Sequence, residues 1–217
     1  MFIRDMARIL FNHKYGLPMS GRIVNMANME TLTDEQLIKT YLSGERIALE
    51  ILIRRNLKMV FNFLYRLVKS RELAEDLSQE TFVKSWKNIA KFDSEKKFKN
   101  WILTIAKNTA LDYLKKKQRE VYLEDEDGLD ILENFADEED LPDEMMQRQD
   151  LALELEDLLR GLPTKSQVVL HLYFQEQMTF QEIADVLEEP LNTVKSRQRR
   201  ALLDLRKKLE SGKGGIC

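Results

Sequence analysis

Cysteine, histidine, proline and glycine are all scarce in this chain, and each scarcity removes a class of protein. The single cysteine, Cys217, rules out an intrachain disulfide framework and fits a reducing compartment. The two histidines, His13 and His171, lie far apart, and no Cys/His cluster has metal-ligand spacing, so neither metal nor cofactor is expected. Four prolines and eight glycines in 217 residues are too few for a turn-rich β architecture and argue for long helices. No apolar run approaches the roughly 18 residues that span a bilayer. Residues 1–8 break their apolar stretches with charge and lack a signal-peptide core. No membrane insertion is expected, and a cytoplasmic location is. A Gly-rich phosphate loop and a nucleophile–base pairing are absent too, so no enzyme is expected.

What is present is segregated charge. The whole chain carries a net charge of −3, yet residues 120–147 hold thirteen Asp and Glu and neither Lys nor Arg. Setting those thirteen carboxylates aside leaves +10 on the remainder. A basic protein with an acidic insert suits a polyanion partner. Hydrophobic residues make up 43%, enough for packed cores.

Periodicity divides the chain. Residues 1–30 are weakly patterned and read as a flexible N-terminal extension. Residues 31–119 are densely helical: Thr33 is a candidate N-cap, Ile47–Val68 is apolar around much of its circumference, and further helices cover Leu73–Ala90 and Asn100 to about Lys117. Residues 120–150 read as a solvated acidic linker. Helical periodicity resumes in residues 151–211, with Leu151, Leu155, Leu158 and Leu159, then a helix after Pro163. The segment 212–217 is a tail. The fold class expected is all-α, two small helical domains joined by the linker.

The second domain carries a helix-turn-helix. Thr179 caps its first helix with Glu182 three residues on, a capping box; Glu188, Glu189, Pro190 and Leu191 make the turn; Asn192 caps the last helix. Helical spacing puts Val194, Ala201, Leu202, Leu205 and Leu209 on one face. Lys195, Ser196, Arg199 and Arg200 fall on the other, at the end that enters a major groove. Arg and Lys pair with guanine O6/N7, Ser reaches a base edge or a phosphate, and Arg206, Lys207 and Lys208 extend the charge towards phosphates.

In the Leu73–Ala90 helix, Phe82, Trp86 and Ile89 form a core-facing stripe. Asp76, Glu80, Lys84 and Lys87 line the opposite face, with Gln79 between. That polar face is either solvated or a docking surface. The loop from Phe92 to Trp101 interleaves aromatics with Lys96, Lys97 and Lys99, which suits single-stranded DNA: phosphates need cations and unstacked bases need flat partners. The helix that follows puts Thr104, Asn108, Asp112 and Lys115 on one face.

Three segments resemble one family, the extracytoplasmic-function (ECF) class of bacterial RNA polymerase sigma factors. Ala74-Glu-Asp-Leu-Ser-Gln-Glu-Thr-Phe82 resembles its core-polymerase-binding motif. Residues 98–114 resemble its −10-element segment, and Thr193-Val-Lys-Ser-Arg197 the core of its −35-reading helix. The resemblance covers about Thr33–Arg119, as region 2, and Leu151–Leu209, as region 4. It implies that Asp76, Gln79 and Glu80 face the β′ clamp of core RNA polymerase, with β also in contact. It implies that Lys96, Lys97, Lys99, Asn108 and Lys115 meet melted −10 DNA, and that Lys195, Ser196, Arg199 and Arg200 meet duplex −35 DNA. An anti-sigma factor is a further implied partner, and the acidic linker would thread towards the RNA exit path. The sequence departs from the family at Glu188 and at Asn192, where the family favours Gly, so a slightly reshaped turn is expected. The rival reading is a stand-alone helix-turn-helix regulator with a helical N-terminal domain, which has no use for the Ala74–Trp86 motif.

Overall fold

The computed structural model describes residues 29–121 and 158–212. The acidic segment, with Leu151 and Leu155, and nearly all of the N-terminal extension lie outside those residues. Among the described residues there is no strand.

Among the described residues, four helices form the N-terminal bundle. Helix α1 (Asp34–Leu42) starts at Thr33, whose hydroxyl accepts from the Gln36 N–H at 3.3 Å while the Gln36 side chain accepts from the Thr33 N–H at 2.9 Å. These bonds satisfy two N–H groups that a helix start otherwise leaves unpaired. Helix α2 (Ile47–Val68) is the central rod, and Leu52, Val60, Phe63 and Leu64 are almost wholly buried. Asp34 ties α1 to it: its carboxylate accepts from Arg55 at 2.7 Å and from the buried Asn56 at 2.9 Å.

Ser70 caps helix α3 (Arg71–Asn88). Its buried face includes Ser78, Thr81 and Ser85, whose hydroxyls donate back to the carbonyls of Ala74, Leu77 and Phe82. Each small polar side chain is thus satisfied by its own helix and needs no cross-helix partner. A 3-10 turn (Ile89–Lys91) and a loop lead to helix α4 (Phe98–Val121). The Phe98 N–H opens α4 by donating to Glu35 of α1 at 3.0 Å. The helix so begins two residues before the expected Asn100, because its start is capped from a distance.

Among the described residues, the C-terminal unit follows a helical stretch at 158–160 with three longer helices. Pro163 precedes helix α5 (Thr164–Leu170), which continues through one π-type turn (His171–Gln175). Helix α6 (Phe180–Leu187) begins with the expected capping box between Thr179 and Glu182. Helix α7 (Leu191–Gly212) starts two residues earlier than a cap at Asn192 would place it. The Pro190 carbonyl accepts from the Thr193 and Val194 N–H groups, so Asn192 lies inside the first turn and is not the cap. Leu202, expected on the apolar face, is 40% exposed, whereas Val194, Ala201 and Leu205 are buried as expected.

The two halves share one hydrophobic cluster. It runs from Leu37, Phe63 and Leu103 of the bundle into Val168, Leu172, Ile183 and Val194 of the C-terminal unit. Helix α6 lies on α4, and α5 lies on α2. A smaller cluster of Leu162, Leu170, Ala201 and Leu205 closes α5 onto α7.

Candidate nucleic-acid interface

The amino-terminal end of α7 is held by the turn before it. Glu188 ends α6 in the left-handed conformation, φ 55° and ψ 41°, with its N–H on the Ala184 carbonyl. The Glu189 N–H donates to the same carbonyl at 3.1 Å. The turn therefore has a shape that glycine adopts without strain, and a glutamate bears it. Glu189 also accepts an ion-paired hydrogen bond from Arg197, which is three-quarters or more buried, so this arginine braces the turn.

Lys195, Arg199 and Arg200 project from the exposed side of the amino half of α7, with Ser196 half-exposed beside them. Arg200 donates to the Ser196 hydroxyl at 3.1 Å and to its carbonyl at 3.3 Å. Lys195 and Arg199, one helical turn apart, have no ion-pair partner among the described residues. This is the arrangement the sequence pattern called for.

The bundle's basic loop is placed differently. Phe92, Phe98 and Trp101 pack against one another with ring centroids 5.3–5.8 Å apart, and Phe98 is almost wholly buried. Phe98 is a core residue and not a platform for a base. Lys96, Asn108 and Lys115 are exposed. Lys97 and Lys99 face the C-terminal unit: Lys97 Nζ lies 2.6 Å from Glu182 Oε1, and Lys99 Nζ lies 2.7 Å from Glu176 Oε2. The hydrogen bond to Glu182 raises the Lys97 pKa. A third pair, unforeseen from sequence, joins Lys107 of α4 to Glu188 at 2.9 Å, with the lysine side chain only 7% exposed. A fourth lysine, Lys69, donates to Gln167 across the same seam. Burial, together with the charges of Arg66 and Arg160, pushes the Lys69 ammonium down to about 8.

Lys107 had a signal in the sequence. It falls within the apolar register Ile102, Leu103, Ala106, Ala110, Leu114, where a cation needs a partner to be tolerated. The sequence alone could not name that partner.

Asp76 and Glu80 are exposed on α3 and Gln79 is half-exposed, opposite buried Leu77 and Phe82. Trp86, on the inner side, donates its indole N–H to the Tyr41 hydroxyl at 2.6 Å. Glu80 pairs with Lys84 at 2.9 Å, an exposed contact that leaves the acidic face open. Among the described residues, no three His, Cys, Asp or Glu side chains group as a metal site requires. No described helix is long and apolar enough to cross a membrane.

Two family models match the chain in order: sigma-70 region 2 over residues 52–120 and sigma-70 region 4 over residues 158–207. The ECF RNA polymerase sigma-E factor of Haemophilus influenzae is 31% identical over 177 residues, 79% of this chain and 93% of the relative. The ECF RNA polymerase sigma factor SigW of Bacillus subtilis is 29% identical over 176 residues, 79% of this chain and 94% of the relative. Among solved structures, the sigma factor RpoE of Bartonella quintana, in complex with the anti-sigma factor NepR, is similar in fold. Its TM-score is 0.60 at 23% identity, over 73% of this chain and 94% of that one. CnrH, in complex with the cytosolic domain of CnrY, gives 0.55 at 23% identity, over 82% and 97%.

Proposed function

The chain belongs to the ECF class of RNA polymerase sigma factors, within the sigma-70 family, and from that premise we propose which of its surfaces does what. As a sigma factor it is a transcription initiation factor, which directs core RNA polymerase to promoters. The stand-alone regulator reading lapses, because both family regions are present in order.

Asp76, Gln79 and Glu80 on α3 form the docking face for the β′ clamp, and β is also in contact. Lys96, Lys97, Lys99, Asn108 and Lys115, on the loop and α4, meet the melted −10 strand. Lys195, Ser196, Arg199 and Arg200 meet the −35 duplex. The protein works in the cytoplasm by binding and strand separation, and nucleotidyl transfer belongs to the polymerase core. Because the fold neighbours are held by NepR and by the cytosolic domain of CnrY, an anti-sigma factor is a proposed partner here as well.

The observation that carries this reading is the pair of opposed faces on α7. Lys195 and Arg199 stand clear on one side while Val194, Ala201 and Leu205 are buried on the other. That disposition fits a helix laid in a major groove. The test is transcription in vitro from a promoter library with bacterial core polymerase. Sigma-dependent transcripts are expected from a defined promoter subset, with permanganate-reactive thymines near −10. No sigma-dependent transcript, with core binding intact, would overturn the reading.

A further inference from the structure

Arg197 closes the segment Thr193–Arg197 that resembles the core of a −35-reading helix, yet it does not stand with Lys195 and Arg199. At about 3.6 residues per turn, side chains two positions apart point roughly 160° away from each other, so Arg197 faces away from both. It falls instead in the register of Val194 and Ala201, and both of those are buried. Its side chain is 17% exposed, and its guanidinium is held by the Glu189 carboxylate, itself 23% exposed. Lys195 and Arg199 are exposed, with no ion-pair partner among the described residues. Glu189 in turn joins two helices. Its N–H donates to the Ala184 carbonyl in the last turn of α6, and its carboxylate reaches the second turn of α7.

We propose that Arg197, clamped by Glu189, is a positioning residue for −35 readout: it touches no DNA, and it sets the tilt of α7 at which Lys195 and Arg199 both reach their bases. The inference rests on the groove role proposed above for those two residues. Apolar burial is non-directional, so the packing of Val194 and Ala201 alone leaves α7 able to rock on α6. A charge-assisted bond from a planar guanidinium fixes direction as well as distance. The amino end of α7 gains no such hold from Asn192, which lies inside the first turn and is not its cap. Lys195 and Arg199 lie on either side of Arg197 along the helix, each about 3 Å of rise away. A change of tilt at the clamp therefore displaces both. A cation in an apolar register also requires a counter-charge, which ties Arg197 to Glu189 and not to solvent.

Arg197→Met with Glu189→Gln removes both charges of the clamp and leaves the net charge of the chain unchanged. The variant is read in holoenzyme reconstituted with bacterial core polymerase, on promoters randomised across the −35 element, with Lys195→Ala and Arg199→Ala beside it. Each of those single variants is expected to flatten base preference at one position. The double variant is expected to flatten both of those positions together, on the order of fivefold each, with helix content retained. The salt dependence of promoter binding should not change, because no phosphate contact is lost. The exchanged variant Arg197→Glu/Glu189→Arg rebuilds the clamp in reverse and is expected to recover wild-type preference; it carries the test alone if the double variant does not fold. Wild-type preference in the double variant overturns the clamp. A uniform loss across sequences, with a salt slope shallower by about one, makes Arg197 a phosphate contact and overturns it too. So does an exchanged variant that folds without recovering preference. If neither Lys195→Ala nor Arg199→Ala shifts any preference, the groove role of α7 fails and the clamp falls with it, a result distinct from failure of the clamp alone.

Discussion

One carboxylate of Glu182 serves two partners: Oε2 accepts from the Thr179 N–H at 2.8 Å, and Oε1 lies 2.6 Å from Lys97 Nζ. The first contact closes the capping box of α6, and the second crosses to the bundle. Local helix start and interdomain docking therefore share a side chain.

That sharing has a pH signature. Burial pushes the Glu182 carboxyl up, but the hydrogen bonds from Lys97 and Thr179 outweigh it and hold the group down at about 2, against an ordinary 4.5. A carboxyl with a depressed folded pKa adds stability above its unfolded value and loses it as pH falls through the folded one. Thermal unfolding between pH 4.5 and 2 should show this loss. Glu182→Gln can keep the cap while losing the charge, and its profile should be flatter there. Glu182→Ala should lose the cap too, about 1 kcal/mol. A Gln variant with the wild-type acid profile would reject the assignment.

His171 adds a second acid-sensitive component at higher pH. Burial, then the charges of Arg66 and Lys99, push its pKa from 6.5 down to about 3. Both ring nitrogens lack a hydrogen-bond partner, and Glu176 stays 3.7 Å away. The unfolded chain takes up a proton below pH 6.5 that the folded one refuses. Stability should fall on acidification by at most about 1.4 kcal/mol per pH unit. His171→Leu should flatten the melting profile between pH 6 and about 4. An unchanged slope would place the acid sensitivity elsewhere.

On α3, Asp76→Lys with Glu80→Lys reverses the exposed acidic face and leaves Leu77 and Phe82 in the core. Affinity for core polymerase should drop on the order of tenfold or more, ~1.4 kcal/mol. Circular dichroism should report the same helix content. Wild-type affinity in a titration against core enzyme removes α3 as the docking face.

On α7, replacing Lys195 or Arg199 with Ala should cost about 1–3 kcal/mol of promoter binding if the side chain makes a bidentate base contact. The loss should relax preference at one position of the −35 element, read by binding to a randomised duplex library. A uniform loss across sequences would make that residue a phosphate contact instead.

Much of this molecule was legible in the chain because it depends on short-range physics. Thr33 and Thr179 announce helix starts through partners three residues away, and both capping boxes form. The register that buries Val194, Ala201 and Leu205 and bares Lys195 and Arg199 follows from the helical repeat alone. Three motifs in order were enough to name the family. Most of what sequence reading missed was decided by a distant group: Glu35 moves the start of α4 to Phe98. At α7 the miss is local, with the Pro190 carbonyl starting the helix ahead of Asn192. Phe98 looked available to a base until Phe92 and Trp101 closed around it. The largest gap is Glu188, read from sequence as a turn residue out of place. Its partner Lys107 is 81 positions earlier in the numbering. A periodic pattern records which face of a helix is apolar, but not which other face it meets. Only the packing of α6 on α4 puts the glutamate over the buried lysine, because a charge in an apolar seam is tolerable only where a counter-charge arrives with it.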